Sequence, residues 1–193
     1  LGLVPAQVHR SMSRHGMSRM FVLYYEMDAI AAGRTPVPPS QCLASLNTHD
    51  MPTFAAMWQG LDICQQSCVG ILDPAHVPAA RRTRYKARTS LFSILRSVCP
   101  GLAEAEGVDS VLRCTLGWLG RSRARYVVVN VEDLWQETAQ QNIPGVGTAY
   151  PSWRQRAAKT MEQMRRSRQV CHALELLREA MKDRRQIRGG ERT

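Results

Sequence analysis

The sequence predicts an α/β protein built on a parallel sheet. Three short runs rich in β-formers carry that expectation: "MFVLYY" at 20–25, "CLASLN" at 42–47 and "YVVVNV" at 126–131. The first is a continuous apolar run, which is how a strand covered on both faces reads; the second is a short strand and the third another buried one. Helical patterns lie between them, and an order of helix, strand, helix, strand, helices, strand, helix is that of βα units around a parallel sheet.

Taken in order, residues 5–16 read as a helix opening at Pro5 and stopping at Gly16. After the first strand, "EMDAIAAGRTPVPPS" at 26–40 reads as a loop because of its prolines and small residues. Pro52 suits the first turn of a helix following the second strand. In 83–99, Leu91, Phe92, Leu95 and Val98 share one helix face, and Val108, Val111, Leu112 and Leu119 repeat the pattern in 108–119. "NIPGVG" at 142–147 is a tight loop. From about Tyr150 the chain reads as a long, increasingly basic helix, with a disordered "RGGERT" end. The division expected is a main unit over 1–165 and a basic helical tail over 166–193.

Three strands do not close a barrel. A (β/α)8 TIM barrel needs eight strands and typically about 250 residues. The segment has the look of its C-terminal portion, strands six to eight, preceded by the helix after strand five. A three-stranded doubly wound sheet fits the same periodicity.

With 193 residues, 44% of them hydrophobic, the chain can bury a sizeable core. It opens on Leu1 in mid-pattern, which reads as a fragment or a processed chain. No run reaches the roughly 18 apolar residues of a spanning helix, and the start does not resemble a signal peptide. A soluble, cytoplasmic protein with no membrane partner is the expectation. The six cysteines are irregularly spaced, and Cys64 and Cys68 have no His or second Cys pair nearby. Buried free thiols in a reducing compartment are expected, with no metal site. A net charge of +10 raises nucleic acid as a partner, but residues 154–193 hold 12 Lys/Arg against 5 Asp/Glu. A basic, solvated terminal helix accounts for that without nucleic acid.

In a parallel barrel, reactive side chains sit where strands end. Three polar clusters fall there: Glu26 and Asp28; Asn47, Thr48, His49 and Asp50; and Glu132 and Asp133, with the Asn142 loop downstream. Asp50 and Thr48 also suit a plainer role, capping the helix that starts near Pro52. His49 alone would pass as a hydrogen-bonded loop histidine.

Longer motifs add a resemblance. "SLNTHDMPTFAAMWQG" at 45–60 is similar to the "THDLPT…G-[FYW]-W" signature of glycoside hydrolase family 77, the 4-α-glucanotransferases. "NIPGVGTAYPSWRQR" at 142–156 is similar to that family's "N-[IV]-P-G-T…P-N-W-R-R-[RK]". "VLYYEMD" at 22–28 and "VVVNVEDLW" at 127–135 resemble its strand-six and strand-eight segments, and "LGLVPAQV" at the start resembles the text after its "E-D-L-G". Order and spacing hold over most of 1–165. Val146, Ser152 and Gln155 depart from the family's Thr, Asn and Arg.

The resemblance implies retaining transfer of an α-1,4-glucan segment to the 4-hydroxyl of an acceptor sugar, with no metal or organic cofactor. Retention uses a nucleophile and an acid/base about 5–5.5 Å apart. In the family these follow strands four and five, so the resemblance puts both upstream of Leu1. It carries over the third carboxylate as Asp50, steadying the distorted sugar in the transition state, with His49 donating to the same sugar. Softer carry-overs to substrate binding are Asp28, Glu26, Asn47, Asn142 and Pro144. Trp153 and Arg154 are expected to pack and pair ions, and Trp58 to lie in the core. The implied partners are a maltooligosaccharide, an acceptor sugar and the missing N-terminal part of the barrel. Alternatives are a partial-barrel maltodextrin-binding module or a basic nucleic-acid-interacting protein.

Overall fold

The computed structural model describes residues 4–103 and 107–190, the side chains of 185–190 excepted. The elements are α1 (Ala6–Arg14), β1 (Arg19–Val22), α2 (Met27–Ala31), β2 (Cys42–Ser45), α3 (Phe54–Gln59), α4 (Leu61–Cys68), α5 (Val77–Val98), α6 (Val108–Arg121), β3 (Tyr126–Val128), α7 (Met161–Arg166) and α8 (Arg168–Gly190). Short 3-10 turns follow β1 at Leu23–Glu26 and β3 at Val131–Trp135.

The strands form one parallel sheet in the order β1-β2-β3. Met20, Leu43 and Tyr126 lie side by side on one face; Phe21, Ala44 and Val127 lie on the other. The second face meets the helices. Phe21 packs edge-on against Trp118 of α6, and the core continues through Ala44, Leu91, Leu95, Leu112 and Leu116. The first face is open at Met20, Tyr126 and Val128, all exposed. The two-sided burial expected from the continuous apolar runs is therefore incomplete: on the first face Val22 and Ser45 are buried, but Met20, Tyr126 and Val128 are not.

Other expectations also change. The loop at 26–40 contains α2: Ala29, Ala31 and Ala32 have strong helix propensity, and Gly33 at φ 80 supplies the left-handed stop. The strands are shorter than the apolar runs; 3-10 turns take over after β1 and β3, and a bend at Leu46 ends β2. No helix begins at Tyr150. Pro151 and Trp153, which sits at φ 63, keep that stretch irregular, and helix resumes at Thr160, where Thr160 and Gln163 make a reciprocal capping box.

The terminal helix is not simply solvated, because Val170, Ala173, Leu177 and Ala180 are buried. They pack against α6, where Gly120 lets the backbones approach: a Cβ there would stand 2.9 Å from that of Ala180. Helical backbone continues through Gly190; the last residues of the end expected to be disordered, 191–193, lie outside the described ones. Cys99 and Cys114 form a disulfide between the end of α5 and α6, with Cα atoms 6.1 Å apart. Of the free thiols Cys42 is buried, while Cys64 and Cys68 are exposed. The expectation of six buried free thiols is corrected accordingly: the pattern of spacings gave no hint that α5 and α6 run side by side.

α5 is tied to α3 and α4 by charge. Arg84 donates from both terminal nitrogens to the two oxygens of buried Asp62, at 2.8 and 2.7 Å, and also to the Met57 carbonyl at 2.6 Å. Burial opposes the Arg84 charge, but the hydrogen bonds and charge of Asp62 hold the guanidinium above its ordinary value. A two-pronged pair of this kind fixes geometry as well as energy.

Candidate active site

The three strands end together, so the polar residues that follow them gather at one end of the sheet. Asp133, in the turn after β3, organises the place. Its carboxylate accepts from the Phe54 N–H at 2.6 Å and from the Asn47 side-chain amide at 3.0 Å. Asn47 also donates to the Pro52 carbonyl, and its own oxygen accepts from Asn130. One buried acid thus joins the exit of β3, the exit of β2 and the start of α3. Burial raises its pKa from 3.8 to about 6, against the lowering effect of those hydrogen bonds and with the charge of Glu132 adding to the rise.

The first amides of α3 are taken by other residues than Asp50. Thr53 accepts from the Ala56 N–H and Asp133 from that of Phe54. Thr48 accepts from the Asp50 N–H and so shapes the turn before the helix. Neither Thr48 nor Asp50 performs the capping that the sequence also allowed. The Asp50 carboxylate instead accepts from the Asn142 side chain at 2.6 Å, and His49 Nε2 lies 3.4 Å from the same oxygen. The side chains of His49 and Asp50 remain 64% and 45% exposed, so the pair faces out of the fold.

Beside them is a cavity of about 260 Å³, bounded by Asn47, Thr48, His49, Asn130, Gln141 and Trp153 among others. Trp153 is a correction to the sequence reading. It was expected to pack, yet it is 62% exposed and its ring lies 5.4 Å from that of His49, tilted by 46°. Its backbone N–H donates to the Gln141 carbonyl at 2.7 Å, which holds the left-handed residue in place. Arg154 is exposed and makes no ion pair among the described residues, whereas Trp58 is buried and stacked on Phe54. Gln141 donates to Glu132 on the cavity wall.

The other predicted residues fall elsewhere. Asp28, in the first turn of α2, lines a different cavity with Tyr24, Pro52 and Arg84. Glu26 closes the 3-10 turn before α2 and caps nothing with its side chain. Pro144 is exposed on the loop after Asn142 and lines neither cavity. Two of the positions that depart from the family pattern fasten that loop: Ser152 accepts from the Ile143 N–H, and Gln155 donates to the Gln140 carbonyl and the Tyr150 hydroxyl. Among the described residues no group of His, Cys, Asp and Glu could hold a metal ion, and no helix is long and apolar enough to cross a membrane.

Fold and cleft together define a parallel α/β protein with a carboxylate-bearing polar site at its strand exits. The family model for glycoside hydrolase family 77, described as 4-alpha-glucanotransferase, matches residues 1–161, and the chain belongs to that family. It is 29% identical over 163 residues to the 4-alpha-glucanotransferase of Mycobacterium tuberculosis, covering 80% of this chain and 22% of that protein. It is 23% identical over 168 residues to that of Haemophilus influenzae, covering 83% and 24%. The chain therefore spans about a quarter of the length of these curated relatives. Amylomaltase from Corynebacterium glutamicum superposes with a TM-score of 0.78 at 18% identity, covering 92% of this chain and 28% of that one. Amylomaltase from Streptococcus agalactiae, solved with acarbose, gives 0.60 at 14% identity, covering 96% and 30%.

Proposed function

We propose that this chain supplies one wall and the third carboxylate of a 4-α-glucanotransferase site, its sheet standing for strands six to eight of a (β/α)8 barrel. Asp50 accepts hydrogen bonds from the hydroxyls of a distorted glucose unit and favours the oxocarbenium-like transition state; His49 donates to the same sugar. Trp153 offers its ring to the apolar face of a pyranose, as aromatic walls do in ligand clefts. Asp133 and Asn47 are positioning residues that hold the two strand exits in register.

One observation carries the reading. The "NTHD" and "NIPG" segments, 92 residues apart, meet where Asn142 donates to Asp50. The carboxylate is thereby oriented without being consumed by the helix amides, and it keeps access to the outside. Retaining chemistry needs a nucleophile and an acid/base close together, and the family resemblance assigns neither to these 193 residues. The chain alone is accordingly expected to bind glucan weakly and to transfer nothing.

Titration of the folded chain with acarbose, followed by calorimetry, tests the site. Saturable binding is expected, weakened by about tenfold in Asp50→Asn, the loss of one or two hydrogen bonds to a charged group. A folded chain that ignores acarbose, or binding indifferent to Asp50→Asn, removes the proposal. Incubation with maltotriose is expected to give neither glucose nor longer maltodextrins; brisk disproportionation would show that these residues hold more of the machinery than Asp50.

A further inference from the structure

Away from the strand exits, α5 carries Arg81, Arg82, Arg84, Lys86, Arg88 and Arg96 and no carboxylate. Arg84 is neutralised by Asp62. Arg88 and Arg96 make no ion pair among the described residues, although both line one groove of about 540 Å³ between α3, α5 and α6. The helical repeat builds its floor. Tyr85, Thr89 and Ser93 follow one another at four-residue intervals, and Arg88 and Arg96 bracket Phe92 on the neighbouring row.

Arg88 is placed, not loose. Its guanidinium lies 4.7 Å from the centroid of Trp58, whose own ring is stacked on Phe54. The Nε–H is buried yet has no acceptor. A buried N–H without a partner is costly, and an orphan on a charged group calls for an explanation. A guanidinium held over an indole keeps its N–H donors, which bind oxyanions in pairs. Burial and the nearby Arg84 both push Arg88 below its ordinary value, so an anion in the groove would relieve it. Arg96 stands eight residues further on, about 12 Å along the axis. Tyr85, 70% exposed, sets an aromatic face at the other end.

We propose that this groove binds a phosphomonoester carried on a sugar ring. Arg88, which lines the groove, grips the phosphate through its terminal N–H groups, and Arg96 supplies the second positive charge that a dianion draws. Ser93 presents its hydroxyl to the ring oxygens, Thr89, whose proton goes to the Tyr85 carbonyl, accepts from a ring hydroxyl, and Tyr85 covers the ring's apolar face. The site is separate from the His49–Asp50 cleft and does not depend on the glucan reading.

Calorimetric titration of the 193-residue chain with glucose 1-phosphate, inorganic phosphate and maltose tests it. Glucose 1-phosphate is expected to bind saturably, inorganic phosphate several-fold more weakly, and maltose without competing. Arg88→Gln should weaken glucose 1-phosphate by about tenfold or more, the usual loss for a charge-assisted pair, and Asp50→Asn should leave it unchanged. Arg96→Gln and Tyr85→Ala change exposed residues, so they report even if Arg88→Gln fails to fold; both should weaken binding. No saturable binding by the folded chain overturns the proposal. So does equal affinity for inorganic phosphate, or binding that survives Arg96→Gln and Tyr85→Ala unaltered.

Discussion

At Asp133, burial and hydrogen bonding pull in opposite directions, and burial wins, lifting the carboxyl from 3.8 to about 6. An acid whose folded value is raised keeps a proton that the unfolded chain has already released. The stability it contributes is therefore present below about pH 4 and lost as pH rises through about 6, the reverse of an ion-paired aspartate. Two units correspond to roughly 3 kcal/mol. Urea unfolding at pH 4 and pH 7 should show the wild type losing about that much relative to Asp133→Asn; a constant difference between the two proteins would contradict the assignment. The sequence placed Asp133 after a strand but could not rank it, because its partners at Phe54 and Asn47 lie 79 and 86 residues away. His49, Asp50 and Asn142 were legible because their motifs are local. Trp153 was not: its exposure depends on a left-handed backbone and on a bond to Gln141, neither visible in residue order.

Among the elements, the α6–α8 contact offers a paired test on two glycines of one helix. At Gly120 an added methyl would meet Ala180 at 2.9 Å and Leu177 at 3.0 Å. Gly120→Ala should cost about 1–3 kcal/mol through overpacking. At Gly117 the nearest atom is the tip of Arg121 at 3.4 Å, so Gly117→Ala should gain up to about 1 kcal/mol of helix propensity. Thermal or urea unfolding reads both, and equal signs would refute the close approach. Long amphipathic helices were readable from spacing, since one apolar face suffices to define them. Short ones were not: α2 has five residues, too few to show a period, and α3, with six, was expected from Pro52 and not from its spacing. The stretch before Thr160 was misread as helix because its basic, polar composition resembles the helix that follows it.

For the molecule as a whole, the sheet is the exposed part. Both β1 and β3 are outer strands, and Met20, Tyr126 and Val128 leave apolar surface on one face of the sheet. Open edges of this kind pair with other chains. The 21.7 kDa chain should elute above its own mass on a sizing column, and Val128→Lys should shift it toward the monomer. A clean monomer before the change would mean that the edges are already protected. The α/β class and the parallel order were legible from alternation alone. The exposure of Met20, Tyr126 and Val128 was not, because a continuous apolar run does not record which face of a strand the helices leave open.

The Cys99–Cys114 bond has a practical corollary. It closes a covalent ring through residues 100–113. A protease that cuts once inside the ring separates no mass: both pieces migrate as one band until a reductant is added, and only then does the nick become visible.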